Sequence, residues 1–179
     1  MKMVLHSIRN TNIMSKFFFT LAVIFFGSCN PQKKIKSIDK DGMPMHTVES
    51  DDSEMNNAIL QATASLYKFD AALSSKNKLY DYFTLKVRYS TPDGGEHIWV
   101  GDIKQEKGDY YGVINNTPES TTEVKLGDTV KVNKNNITDW MYVENNKLRG
   151  GYTVRLLRNR MNEAERKQFD STTFYSIEN

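Results

Sequence analysis

Two periodicities organise the apolar positions of this chain. Met55, Ile59, Ala62, Leu66, Phe69 and Leu73 recur at intervals of four and three, which lines all six along one face of an amphipathic helix. Asp51 to Ser53 offer capping side chains ahead of it, and Ser74-Ser75-Lys76-Asn77 ends it. At Phe83 the period drops to two. Phe83, Leu85, Val87 and Tyr89 alternate with Thr84, Lys86 and Arg88, predicting a strand with one buried and one wet face.

Turn residues then partition the chain into further strands. Thr91-Pro92-Asp93-Gly94-Gly95 turns into a strand over Glu96 to Ile103, and Glu106-Lys107-Gly108-Asp109 into another over Tyr110 to Asn115. Val124 to Val132 reads as a fourth strand broken by a bulge or tight turn at Gly127-Asp128. Asn135-Asn136 leads into Ile137–Val143, closed by the turn Glu144-Asn145-Asn146-Lys147. Beyond Gly150-Gly151 the helical period returns at Val154, Leu157 and Met161, and Asn162 with Glu165 forms a capping-box pattern for a last turn through Phe169. The fold class that follows is α+β: an N-terminal amphipathic helix, an antiparallel sheet of about five strands, and short C-terminal helices packed on the sheet.

The N-terminal segment follows a different pattern. Phe17 through Phe26 form an apolar run behind Lys16, followed by the small residues Gly27 and Ser28 and by Cys29, the one cysteine of the chain. The run is too short to span a bilayer and has the length of a secretory signal core. Small residues before a lone cysteine resemble a bacterial lipobox, although Phe26 stands where leucine is usual. Residues 1–28 are therefore expected to be a signal peptide, with translation starting at Met14 and lipid attached at Cys29. An ordinary signal or anchor with an incidental cysteine is the alternative. Residues 29–52 mix Lys33, Lys34, Lys36, Asp39, Lys40 and Asp41 with Pro31 and Pro44, the composition of a solvated tether. Residues 53–179 are then one domain.

Composition narrows the function classes. The sequence carries 24 basic and 22 acidic residues. Losing residues 1–28 removes Lys2, Arg9 and Lys16, which leaves formal charge −1 and no electrostatic reason to bind nucleic acid. With Cys29 lipidated, no thiol remains for a disulfide, a zinc cluster or a nucleophile. Phosphate loops, dinucleotide fingerprints, nucleophile elbows and His-Glu-x-x-His pairs are absent from the sequence. No catalytic residue, cofactor or metal is expected. The nearest acid–base set is Glu96, His97 and Asp139, but neighbours on a strand point to opposite faces, so Glu96 and His97 do not share one site. Trp99, Trp140, Tyr110, Tyr111 and Tyr142 could grip a partner, and core packing is the weightier reading for the tryptophans. The basic run Arg155, Arg158, Arg160, Arg166 and Lys167 reads as a solvated face.

Several residues fall in a recognisable order: Tyr67-x-Phe69, Glu96-His97-x-Trp99-Val100, Gly112-x-x-Asn115-x-x-Pro118, Gly127-Asp128-x-Val130, Ile137-x-Asp139-Trp140-Met141 and Gly150-Gly151-Tyr152-Thr153-x-Arg155. Together, over residues 55–160, they resemble the bacterial family termed domain of unknown function 2314, the YegJ-like proteins. The resemblance implies a compact α+β domain, often secreted or joined to other modules, and carries no activity with it. The expectation is a cell-envelope lipoprotein, anchored through Cys29 and facing the periplasm, whose domain binds a protein partner. The candidate surface is Glu96, His97, Trp99, Asp139 and Trp140. A hydrolase of envelope polymers and an immunity- or inhibitor-like protein are the alternatives.

Overall fold

The computed structural model describes residues 52–178, together with a backbone pairing of β1 (Ser37–Ile38) and β2 (Pro44–Met45). The expected signal segment and Cys29 lie outside the described residues. The β1–β2 pairing falls inside the stretch read as a tether without regular structure.

The helical stripe becomes two helices, α1 (Ser53–Ala64) and α2 (Leu66–Ser75). Asp52 caps α1 by accepting from the Met55 amide at 3.1 Å. The break at Ser65 has a local cause. The Ser65 hydroxyl lies 2.6 Å from the Gln61 carbonyl and 2.8 Å from the Tyr152 hydroxyl, and the Trp140 indole N–H takes the Ala62 carbonyl at 2.9 Å. Partners from elsewhere thus occupy the helix where one continuous helix is predicted.

Six antiparallel strands follow the helices: β3 (Tyr80–Thr91), β4 (Gly94–Glu106), β5 (Asp109–Ile114), β6 (Thr129–Val132), β7 (Ile137–Glu144) and β8 (Lys147–Gly150), in the order β6-β5-β4-β3-β7-β8. The sheet has one strand more than expected, because Lys147–Gly150 returns beside β7 as the second arm of a hairpin. The expected strand from Val124 shrinks to Thr129–Val132. Its first half is a loop in which the Asp128 carboxylate accepts from the Lys125 amide and Gly127 takes φ +87°.

The half-buried reading of β3 is overturned. Thr84, Leu85, Lys86 and Val87 are all buried, since both faces of the sheet are covered. On one face Ala62 and Phe69 of the first two helices pack on Leu85, Val87, Ile98, Val100 and Trp140. On the other, Trp99, Met141 and Val143 meet Val154 of α3 (Tyr152–Arg160) and Phe169 of α4 (Glu163–Thr172). The capping box of α4 forms as the sequence predicts, Asn162 accepting from the Glu165 amide and Glu165 from the Asn162 amide. Arg160 closes the domain by gripping Asp52 with both terminal nitrogens, at 2.7 and 2.8 Å.

Gly150 and Gly151 carry the chain from β8 into α3 with φ +70° and +64°. A Cβ on Gly150 would sit 2.3 Å from the Trp140 carbonyl oxygen, a backbone atom held by its sheet. Gly108, at φ +87°, faces open space. Gly150→Ala is therefore expected to cost about 3 kcal/mol and Gly108→Ala about 1 kcal/mol, because only the first adds a clash to the conformational strain. Urea unfolding of both variants checks this, and equal losses would show that the approach to Trp140 carries none of the effect.

Candidate functional site

The polar residues of the second sheet face gather around Asp139. Asp139 lies on β7 opposite Lys86 of β3, where the pairing skips Thr138 as a β-bulge. Its carboxylate is fully buried and accepts four hydrogen bonds: from the Trp140 amide (2.8 Å), the Tyr152 amide (3.1 Å), the Thr153 amide (2.8 Å) and the Thr153 hydroxyl (2.7 Å). Helix α3 has Gly151 at its cap position and so no capping side chain of its own. Asp139 does that work from the neighbouring strand, where the helix dipole also favours a negative charge. Lys86, 4% exposed, approaches the Thr153 hydroxyl at 3.3 Å and stands 5.3 Å over the Trp99 ring. Burial pushes the Asp139 carboxyl above the usual carboxylate range, opposed by the Thr153 hydroxyl and the charge of Lys86.

His97 sits on β4 opposite Arg88, half-buried, with Nδ1 2.8 Å from the hydroxyl of the bulged Thr138. Burial, then the charges of Lys86 and Arg88, lower its pKa to about 3. Its imidazole is therefore neutral in the folded domain at neutral pH. Glu96 points away to another task. Its carboxylate takes the amides of Glu119 (2.7 Å), Ser120 (3.0 Å) and Thr121 (2.8 Å), pinning the loop between β5 and β6. The alternation that separates Glu96 from His97 in the sequence separates them in space.

The tryptophans are core residues on opposite faces. Trp99 is 1% exposed, its backbone amide bonded to Asn116 and its indole N–H buried without a hydrogen-bond partner among the described residues. Trp140 is 2% exposed and donates to Ala62. Of the five residues expected at a binding surface, only Glu96 and His97 reach solvent. Trp99, Asp139 and Trp140 lie beneath it because the helices cover both sides of the sheet. Most of the basic run is likewise not a solvated face: Arg158 forks onto Asp170 (2.7 and 2.8 Å), Arg160 onto Asp52, and Arg155 onto backbone carbonyls.

Sequence reasoning missed Lys86, Thr138 and Thr153. Lys86 was hidden by the alternation that assigns it to a wet face. Its near signal is the Thr153 that follows two glycines at a helix start. A second set, unpredicted as a group, lines a depression beside Trp140 with Tyr142, Tyr152, Lys68, Arg149 and Arg155. Among the described residues, no group of three or more His, Cys, Asp or Glu side chains could hold a metal ion. No helix among them is long and apolar enough to cross a membrane.

Comparison with known proteins adds a family without an activity. A family described as uncharacterised proteins conserved in bacteria, DUF2314, matches residues 52–175. The uncharacterised protein YegJ of Escherichia coli K12 is 30% identical over 141 residues, covering 79% of this chain and 86% of YegJ. A putative ankyrin repeat protein of Neisseria meningitidis serogroup B is 41% identical over 76 residues, covering 42% of this chain and 30% of that protein. No solved structure matches.

The environment of His97 sets a pH dependence. The folded domain resists protonating it down to about pH 3, whereas the unfolded chain protonates near its ordinary 6.5. Between these values the unfolded chain holds the extra proton, so stability falls as pH falls, by at most about 1.4 kcal/mol per pH unit. His97→Gln, which keeps a polar partner for Thr138, is expected to flatten the slope of the urea midpoint between pH 6.5 and 4. Superimposable slopes for the two proteins would refute this assignment.

Proposed function

The chain belongs to the DUF2314 family of uncharacterised proteins conserved in bacteria, and on that premise we propose a lipid-anchored protein of the bacterial cell envelope whose domain binds a partner. The lipid attaches at Cys29 and the domain faces the periplasm. The support for this location is the apolar run Phe17–Phe26 with Gly27-Ser28-Cys29 behind it.

One observation favours binding over catalysis: Asp139, Glu96 and His97, the three groups of the candidate acid–base set, are each committed elsewhere. Asp139 caps α3 from the interior, Glu96 holds three loop amides, and His97 is neutral against Thr138. General acid–base catalysis needs such groups within hydrogen-bond reach of one reacting atom. The solvent-reaching part of the candidate surface is the β3–β4 strand end, where His97 and Glu96 neighbour the exposed Arg88. Trp99 and Asp139 form the layer that holds it in shape.

Two measurements test the reading. Cys29→Ser is expected to move the protein from the membrane fraction to the soluble or unprocessed pool, and unchanged membrane retention would remove the lipid anchor. Crosslinking in cells, followed by co-purification, is expected to yield one partner with the parent protein and at least about tenfold less with His97→Ala in a folded protein. Turnover of an envelope polymer that stops with Asp139→Asn or Glu96→Gln would replace the binding module with a hydrolase.

A further inference from the structure

The solvent side of α1 and α2 carries a stripe of uncharged side chains. Asn57, Leu60, Ala64, Tyr67, Ala71 and Ser74 recur at intervals of three and four, and all six are exposed. Five large hydrophobic side chains are exposed among the described residues, and this stripe holds two of them, Leu60 at 64% and Tyr67 at 66%. From Met55 to Tyr67 the chain has no Asp, Glu, Lys or Arg. Thr63, on the flank, returns its hydroxyl to the Ile59 and Leu60 carbonyls. A surface helix ordinarily turns charged side chains to water, so this face is built for contact.

The order of side-chain sizes identifies the occupant. Large and small alternate along the stripe as Leu60, Ala64, Tyr67 and Ala71. Against its own copy, antiparallel about an axis between Ser65 and Leu66, the row sets Leu60 opposite Ala71 and Tyr67 opposite Ala64. Asn57 falls opposite Ser74. Every large side chain thus meets a small one, which lets two helices approach to about 8–10 Å with their side chains interleaved. A parallel pair would stack Leu60 on Leu60 and Tyr67 on Tyr67, with the alanines across a gap. Charge agrees with the antiparallel order. Lys68, beside the row, faces Thr63, and Glu54 at the start of α1, which also holds Arg160, faces the end of α2 at Lys76. The helix dipoles oppose as well. The break at Ser65 falls at the axis, so α1 of one copy lies along α2 of the other.

We propose that the α1–α2 face is a two-fold interface between two copies of this chain, with Leu60 and Tyr67 of each seated over Ala71 and Ala64 of the other. The six residues offer on the order of half of the ~800 Å² per partner of a standard interface, so the pairing is transient rather than obligate. It goes beyond the partner binding proposed for Glu96 and His97, which lie on β4, and does not use that surface.

Cysteine crosslinking tests the register in the full-length chain carrying Cys29→Ser, where the introduced thiols are the only ones. Leu60→Cys and Ala71→Cys, both at exposed positions, are combined in one chain and oxidised with copper phenanthroline in nonionic detergent. The combined variant is expected to give at least about tenfold more disulfide dimer than either single variant. In the single variants the two like thiols stand eleven residues apart along the seam. That is about 16 Å, beyond the ~7 Å that a disulfide spans. Tyr67→Glu added to the combined variant should lower the dimer by a similar factor, because it sets an unpaired charge against Ala64. No dimer from the combined variant, equal dimer from the single variants, or a yield that ignores Tyr67→Glu would overturn the two-fold seam. So would crosslinking of Tyr67→Cys to a different protein in cells, which would give the face another occupant.

Discussion

The arrangement rests on one buried carboxylate. Taking an ionised Asp139 out of water costs several kcal/mol unless hydrogen bonds and a counter-charge offset it. Here three backbone amides, one hydroxyl and the nearby Lys86 offset part of that cost, and burial still holds the carboxyl above its usual range. Two of those amides are the opening N–H groups of α3, whose own cap position is a glycine. The carboxylate and the helix therefore satisfy each other, and neither has an equivalent partner among the described residues. Truncating Asp139 would remove a counter-charge from the buried Lys86 and free the start of α3 together. A larger loss follows than for an exposed ion pair.

Placing α3 decides the rest of the second face. Val154 descends onto the sheet, α4 follows with Phe169, and Arg160 reaches back to Asp52 at the entry to α1. The left-handed Gly150 and Gly151 make the approach possible, since the chain must turn within two residues beside the Trp140 carbonyl. The same geometry holds Tyr152 against Trp140 and within reach of Ser65, so the break between α1 and α2 also traces to where α3 begins.

Local features of the sequence were legible, and long-range ones were not. The capping box at Asn162 and Glu165, the hairpin turns, the helical character of Ser53–Ser75 and the extended character of β3 involve neighbours a few residues apart, and they read directly. The alternation of β3 predicted a wet face for Thr84 and Lys86 because a polar side chain ordinarily marks solvent. Only the arrival of α3, more than sixty residues later in the sequence, turns Lys86 into a buried partner. The β8 strand was lost for a related reason: four residues with one buried leucine carry too little period to register. For the candidate site, the separation of Glu96 and His97 was legible from strand geometry. The burial of Asp139 and of both tryptophans depended on helices whose docking no period reveals.

The division of labour along the chain bears on what kind of molecule this is. The family match begins at residue 52, whereas the features that suggest secretion and lipidation precede it. On the proposed reading, location and recognition would be encoded in separable segments, a compact domain being presented from a surface. Within the domain, the polar groups best suited to chemistry are buried or bonded to backbone. Catalysis requires reactive groups to converge on one atom, while recognition requires only a surface whose charge and shape are incompletely satisfied. The commitment of Asp139, Glu96 and His97 to backbone and hydroxyl partners is what the proposed binding role rests on.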